Sequence, residues 1–201
     1  MRMKILLIGA TGKIGSALAP LLRPHHELLE ASRNSPLAID ITDEASVRAL
    51  FAKTGKLDAV INAAGGAVWK AFAELTPADF EKSFSYKLMG QINLARLSVE
   101  HLNDNGSITL TGGWWAREPV VNSTAIATVN AALEGFVRAA ALEMPRGIRI
   151  NLVAPPLVGP LQLVGDRITH HPANEVAQAY LQSVDGPLTG EVIDTRVYAR
   201  R

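Results

Sequence analysis

Ile5-Leu6-Leu7-Ile8-Gly9-Ala10-Thr11-Gly12-Lys13-Ile14-Gly15-Ser16-Ala17-Leu18-Ala19 decides the fold of this chain. An apolar run of four residues leads into three glycines spaced three apart and then into a helix-forming sequence. Such a run suits a parallel strand covered on both faces. Gly9 allows a tight turn off the strand, Gly12 lets backbone approach a pyrophosphate, and Gly15 lets the helix lie close on the sheet. The helix start supplies N–H groups and a partial positive charge, so the turn is an anion site. Nucleotide binding is the expectation for this stretch.

Outward from it, strand and helix alternate. Strands are expected at Glu27 to Ala31, Leu37 to Asp40, Leu57 to Asn62, Ser107 to Thr111, Ile148 to Val153 and Gly190 to Asp194. The intervening helices run from Lys13 to Arg23, from a Thr42-Asp43-Glu44 cap to Thr54, and from Thr76-Pro77 to about Leu102. Two more run from Ser123 to Met144 and from Asn174 to Ser183. Asn103 to Gly106 reads as a turn, and the proline- and glycine-rich segment after Pro155 as a loop. The pattern gives one α/β domain over residues 1–201, a doubly wound parallel sheet of the Rossmann type with about seven strands and helices on both faces.

Bulk composition narrows the function classes. The net charge of +1 carries no field that favours nucleic acid or an anionic membrane. Arg196, Arg200 and Arg201 make a basic end of the kind that is usually just solvated. The absence of cysteine removes disulfides, thiol catalysis and thiolate metal sites. His25-His26 and His170-His171 are adjacent pairs, which do not converge on one ion, and no metal is expected. His101, near a helix end, is expected to interact with helix carbonyls. No apolar run approaches a membrane span and no signal-peptide pattern precedes the first strand, so the expected compartment is the cytoplasm.

Several further motifs, in order, carry a family resemblance. Gly9-x-x-Gly12-x-x-Gly15, Asp40-Ile41, Asn62-Ala63-Ala64-Gly65, Ala131-Ala132-Leu133-Glu134-Gly135-Phe136, Arg149 to Pro155 and Leu188 to Asp194 together resemble the short-chain dehydrogenase/reductase family over almost the whole chain. The resemblance implies a nicotinamide dinucleotide. Backbone of Thr11, Gly12, Lys13 and Ile14 holds its phosphates. Asp40 and Ile41 lie against the adenine, Asn62 to Gly65 pass beneath its ribose, and Val158 meets the carboxamide, although Pro156 replaces the usual glycine there. The substrate segment, about residues 156–173, is shorter than usual.

Arg33, just past the second strand, suits the 2′-phosphate of NADP, and Lys13 can add a second charge. Glu30 is the rival, as the carboxylate an NAD site would use. NADP is therefore the expected cofactor, ahead of NAD.

The family's catalytic tyrosine, lysine, serine and asparagine fall on Ile126, Asn130, Gly113 and Lys87. None of Tyr86, Tyr180 and Tyr198 stands at the tyrosine's spacing. The catalytic residues are thus not assigned, with Lys87 as a substitute acid and Thr111 as a nearby hydroxyl. Trp114 and Trp115 suit either an apolar substrate floor or packing on the opposite helix. The expected function is an atypical NADP-dependent oxidoreductase on a small carbonyl or alcohol, with a non-catalytic NADP(H)-binding sensor or interaction protein as the alternative. The resemblance also implies a homodimer or homotetramer built on the two long helices, whose Ala125, Ala127, Ala131, Ala132 and Gly135 suit close approach.

Overall fold

The computed structural model describes residues 2–164 and 167–198, so Gly165, Arg200 and Arg201 lie outside it. The chain runs β1 (Lys4–Ile8), α1 (Lys13–Leu22), β2 (Glu27–Ser32), β3 (Leu37–Ala38), α2 (Glu44–Thr54), β4 (Leu57–Asn62), α3 (Pro77–Ser83), α4 (Gly90–Ser98), β5 (Leu102–Thr111), α5 (Thr124–Glu143) and β6 (Arg149–Ala154). It then continues through β7 (Leu157–Val158), β8 (Gln162–Val164), β9 (Arg167–His171), α6 (Ala173–Asp185) and β10 (Val192–Asp194). Seven strands form a sheet in the order β10-β6-β5-β4-β1-β2-β3, each pair parallel.

Strand β1 shows why the sheet is covered on both sides. Its side chains alternate between the faces. Leu6 and Ile8 join Leu50, Phe51, Leu94 and Leu133 under α2, α4 and α5. Ile5 and Leu7 join Leu18, Leu22, Val176 and Tyr180 under α1 and α6. The glycine turn follows directly. Gly9 has φ +81°, and a Cβ on Gly15 would stand 2.7 Å from the Ala10 Cα and closer still to the Gly9 carbonyl oxygen. Only glycine lets α1 start this near the strand.

Four expectations change. The helix from Pro77 does not run unbroken to Leu102. It starts as expected, with Thr76 and Asp79 in a reciprocal capping box and Pro77 in the first turn. Residues Phe84–Met89 then form a wider π turn before α4, which ends at Ser98. Secondly, β5 begins at Leu102 rather than Ser107. Its pairing with β4 jumps from Leu57↔Leu102 to Ala59↔Ser107, so Asn103 to Gly106 bulge out of the ladder. Arg146 braces the bulge by donating to the Leu102 carbonyl and to Asp104.

Thirdly, the segment after Pro155 is not all loop. β7 pairs parallel and β8 antiparallel with β9 in a small separate sheet. Lastly, α5 is long and apolar enough by composition to cross a membrane, with a mean hydropathy of 1.3 over its best window. One face of α5 is spent inside the domain, where Val129, Leu133 and Val137 are fully buried.

Candidate functional site

The strand order reverses between β1 and β4, and a crevice opens beyond the carboxyl ends of those strands. A cavity of about 200 Å³ lies there. Gly9, Thr11 and Gly12 form one wall, Ser32, Arg33 and Asn34 a second, Asp40 and Ile41 a third, and Ala63, Ala64 and Tyr86 the floor. Gly12 caps α1 without a side chain, so the first-turn N–H groups carry no side-chain cap. Strand pairing brings these pieces together, because β1 lies between β2 and β4.

At the end of β2, the Ser32 hydroxyl is buried and has no hydrogen-bond partner. Arg33 and Asn34 are exposed on the turn beside it. Glu30, the rival carboxylate, is held by the Arg23 guanidinium at 2.8 and 2.9 Å on the α1 side. Asp40 Oδ1 accepts from the Thr42 N–H at 2.9 Å and from the Thr42 hydroxyl at 2.7 Å. Those bonds, followed by the charge of Arg33, hold the Asp40 carboxyl below the usual carboxylate range.

The other expected residues are placed differently. Asn62 is fully buried and shapes its own turn, donating to the Ala64 carbonyl at 2.7 Å and to Gln91 Oε1 at 2.9 Å. It supports Ala63 and Ala64 and does not line the cavity. Gly15 is buried, Ile14 packs into the core under α1, and Gly65, at φ +137°, lies against the Lys87 stem. Lys13 reaches from the glycine turn to the Val158 carbonyl at 3.3 Å. The two line a second hollow with Pro160 and Pro172.

Beyond the carboxyl end of β5 lie Lys87, Gly113 and Asn130. The π turn directs Lys87 inward, where it is 5% exposed. Its ammonium donates to the Gly112 carbonyl at 3.1 Å and the Thr111 carbonyl at 3.3 Å. Burial lowers its pKa to about 8. Gln91, one helical turn on, donates to the Thr111 and Lys87 carbonyls at 2.9 and 3.0 Å and accepts from the Thr111 N–H at 2.9 Å.

Asn130 is 1% exposed, and both ends of its amide lack a partner. A Cβ on Gly113 would stand 2.6 Å from the Asn130 amide nitrogen, so the glycine makes room for it. Ile126 is half-buried on the same helix. Thr111 turns its hydroxyl to the Asn62 carbonyl and the Tyr180 hydroxyl, into the core under α6. Burial raises the Tyr180 phenol above its ordinary range, so it holds its proton at neutral pH.

Three side chains have partners that the sequence did not name. Trp114, on a turn that packs against α5, carries the Arg196 guanidinium 3.2 Å from its ring centre, and Arg196 also pairs with Asp194. Trp115 leans on Trp69 at 4.6 Å between ring centres. His101 stacks on Phe51 at 4.7 Å rather than serving helix carbonyls. Tyr86 and Gln91 are the contributors to the site that sequence reasoning missed. The available signal was spacing, since Gln91 follows Lys87 by four residues and shares its helix face.

A family model described as Enoyl-(Acyl carrier protein) reductase matches residues 15–183. The chain belongs to the short-chain dehydrogenase/reductase family. Among solved structures of the family, the protein lin1944 from Listeria innocua is 41% identical, with 96% of this chain and 98% of that chain covered and a TM-score of 0.90. A small-chain dehydrogenase solved in complex with NADPH is 29% identical, with 96% of each chain covered and a TM-score of 0.86.

Two curated family members match a shorter stretch. The hydroxynaphthalene reductase-like protein Arp2 of Metarhizium brunneum is 32% identical over 130 residues, 62% of this chain and 49% of that protein. The 7alpha-hydroxysteroid dehydrogenase of Escherichia coli K12 is 32% identical over 124 residues, 58% and 48% respectively. The chain thus spans about half the length of the curated relatives it matches.

Proposed function

We propose that the chain is an NADP(H)-dependent oxidoreductase acting on a small carbonyl or alcohol. The observation that carries this reading is the end of β2. The unpartnered Ser32 hydroxyl and the Arg33 guanidinium face one cavity there, while Glu30 is spent on Arg23. An arginine with a small hydroxyl suits a 2′-phosphate, whereas a ribose 2′-hydroxyl calls for a free carboxylate. The relative solved with NADPH supports the same choice.

The residues present fit the rest of a dinucleotide. Thr11, Gly12, Lys13 and Ile14 offer backbone N–H groups to the phosphates. Asp40 keeps one carboxylate oxygen for the adenine amino group, with Ile41 beside it, and Ala63 to Gly65 give the ribose a wall without bulk. The unpaired amide of Asn130 suits the hydroxyls of the second ribose, because a buried amide without a partner calls for one. Lys13 and the Val158 carbonyl close the far end of the groove. When bound, the cofactor supplies a hydride to the substrate carbon. The chain's task is to orient both reactants and to manage the proton at the oxygen.

Lys87, Gly113, Ile126 and Asn130 stand where the family's asparagine, serine, tyrosine and lysine fall, so this active site is non-standard. Isoleucine moves no proton. That substitution favours a second reading, a binding protein that keeps the nucleotide and performs no turnover. The assembly follows the same frame. Ala131, Ala132 and Gly135 are exposed on the outer face of α5, with nothing within 4 Å of a Cβ added at Gly135, and such a face suits a second copy of the chain in a dimer or tetramer.

Calorimetric titration tests the nucleotide reading. NADPH is expected to bind at least about tenfold more tightly than NADH, and Arg33→Ala to erase most of that preference, the loss of one charged hydrogen-bonded contact. Binding of neither nucleotide would overturn the proposal.

A further inference from the structure

Lys87 is a buried cation with no counter-charge among the described residues; such an arrangement costs stability, and groups of this kind cluster at functional sites. Only backbone carbonyls accept from it. The carboxylates on the helices packed around it are engaged elsewhere or, at Glu81 and Glu143, exposed. Asp79 on α3 is held by Thr76 and Lys70, and Glu134 on α5 by Arg117 and Arg138. Among the described residues no ion pair reaches the ammonium, and burial lowers its pKa.

The position is also specific. The π turn and the carbonyls of Thr111 and Gly112 fix the ammonium at the carboxyl end of β5, where the family aligns its serine on Gly113. An ammonium has three N–H bonds, and two are used. Glycines let other groups close in around it: Gly65 abuts the lysine stem, with an added Cβ 3.6 Å from its Cγ, and Gly112 and Gly113 make room for the Leu152 and Asn130 side chains.

We propose that Lys87 is the proton donor of this site, giving a proton from its ammonium to the oxygen of a substrate carbonyl. The proposal rests on the oxidoreductase reading above. In the balanced step the reduced nicotinamide gives two electrons and a hydrogen to the carbonyl carbon, the C=O π bond breaks, and its electrons take the lysine proton to form the alcohol. Neutral Lys87 then regains a proton from solvent. In the oxidative direction the neutral amine accepts the alcohol proton. A donor that titrates near the working pH does this in both directions. Lys87 thereby does the work of the absent tyrosine from a different element, and the Thr111 and Gly112 carbonyls aim it.

The test begins with protein carrying labelled lysine, whose Lys87 signal is assigned by its loss in Lys87→Met. Its titration midpoint is followed by NMR with NADPH bound and again with NADP+ bound. The oxidised ring carries a positive charge, so the midpoint is expected at least about one pH unit lower with NADP+ than with NADPH. Equal midpoints in two well-formed complexes would place the ammonium away from the reacting ring and overturn this proposal alone. Failure of either nucleotide to bind would overturn the oxidoreductase reading with it.

A second arm uses 9,10-phenanthrenequinone, an activated dicarbonyl, as the oxidant of NADPH. Lys87→Gln keeps donors for the two carbonyls and removes the acid, and Lys87→Met removes both. Each is expected to lower kcat by about 100-fold or more, with NADPH affinity held within about threefold and the alkaline limb of the pH profile lost. Undiminished turnover in Lys87→Gln overturns the proposal. No turnover by the parent protein at any pH overturns it in favour of the binding-protein reading.

Discussion

The two ends of the cleft are built from different materials. At the end proposed for the adenine nucleotide the work falls to backbone: a glycine turn, the start of α1, and the small residues after β4. Side chains add only a selective touch at Ser32, Arg33 and Asp40. At the end proposed for the reaction the chemistry falls to side chains, Lys87 and Asn130 among them, and Gly113 makes room for the Asn130 amide. A backbone site tolerates wide change in sequence as long as its glycines stay. A side-chain site is rewritten by single substitutions, and a change at one position demands another, as the contact between Gly113 and Asn130 shows. In the proposed reading, a family frame persists in this way around altered chemistry.

The largest effect is expected at the backbone end. Gly15→Val places a side chain against the Gly9 carbonyl and Ala10, where neither can yield without moving β1. It is expected to cost upwards of about 3 kcal/mol in urea unfolding and to abolish NADPH binding by calorimetry. A soluble variant with parental affinity would break the claim that the turn is the site.

At the reacting end the expected signature is in pH. Lys87 has a folded pKa of about 8 against an ordinary 10.5, so the unfolded chain binds the extra proton between those values. The associated stabilisation is full above 10.5 and lost as pH falls through about 8. Stability should therefore gain up to about 3 kcal/mol on raising the pH across that window. Urea midpoints compared between the parent and Lys87→Met would show it, with the variant flat across the window. A parent as flat as the variant would mean that the ammonium is solvated.

The smallest effect sharpens the fitted pair. Gly113→Ser installs the serine that the family resemblance implies at this position, but its Cβ crowds the Asn130 amide at 2.6 Å. A loss of about 1–2 kcal/mol is expected from overpacking. Adding Asn130→Ala should recover part of it, because neighbouring substitutions couple. Strict additivity in the double variant would show that the two positions do not interact.

Much of the frame was legible because local signals agreed with one another. β4 was bounded correctly at Leu57 and Asn62, and the Thr76-Pro77 start carries its own cap and its own ring constraint. The π turn at Phe84–Met89 left no such mark, since its residues are ordinary helix formers and one extra residue per turn is a tertiary choice. β7, β8 and β9 were hidden by their length, at two, three and five residues, and by the prolines around them. In the site, Arg33 could be singled out by charge and position. The engagement of Glu30 by Arg23 could not, because it depends on how α1 lies beside β2. Lys87 was identified by alignment, but its burial, its two carbonyl partners and the role of Gln91 emerge only when helix and strand meet.

The chain holds three tryptophans, and all lie on the two loops that follow β4 and β5: Trp69, Trp114 and Trp115. None belongs to either hydrophobic core. The intrinsic ultraviolet emission of this protein is consequently a gauge of the cleft rim rather than of the folded sheet. With a guanidinium on one indole and two indoles leaning together, a small movement of either loop changes the optical signal while the core stays intact. Spectroscopists can follow the surroundings of these two loops without attaching a dye.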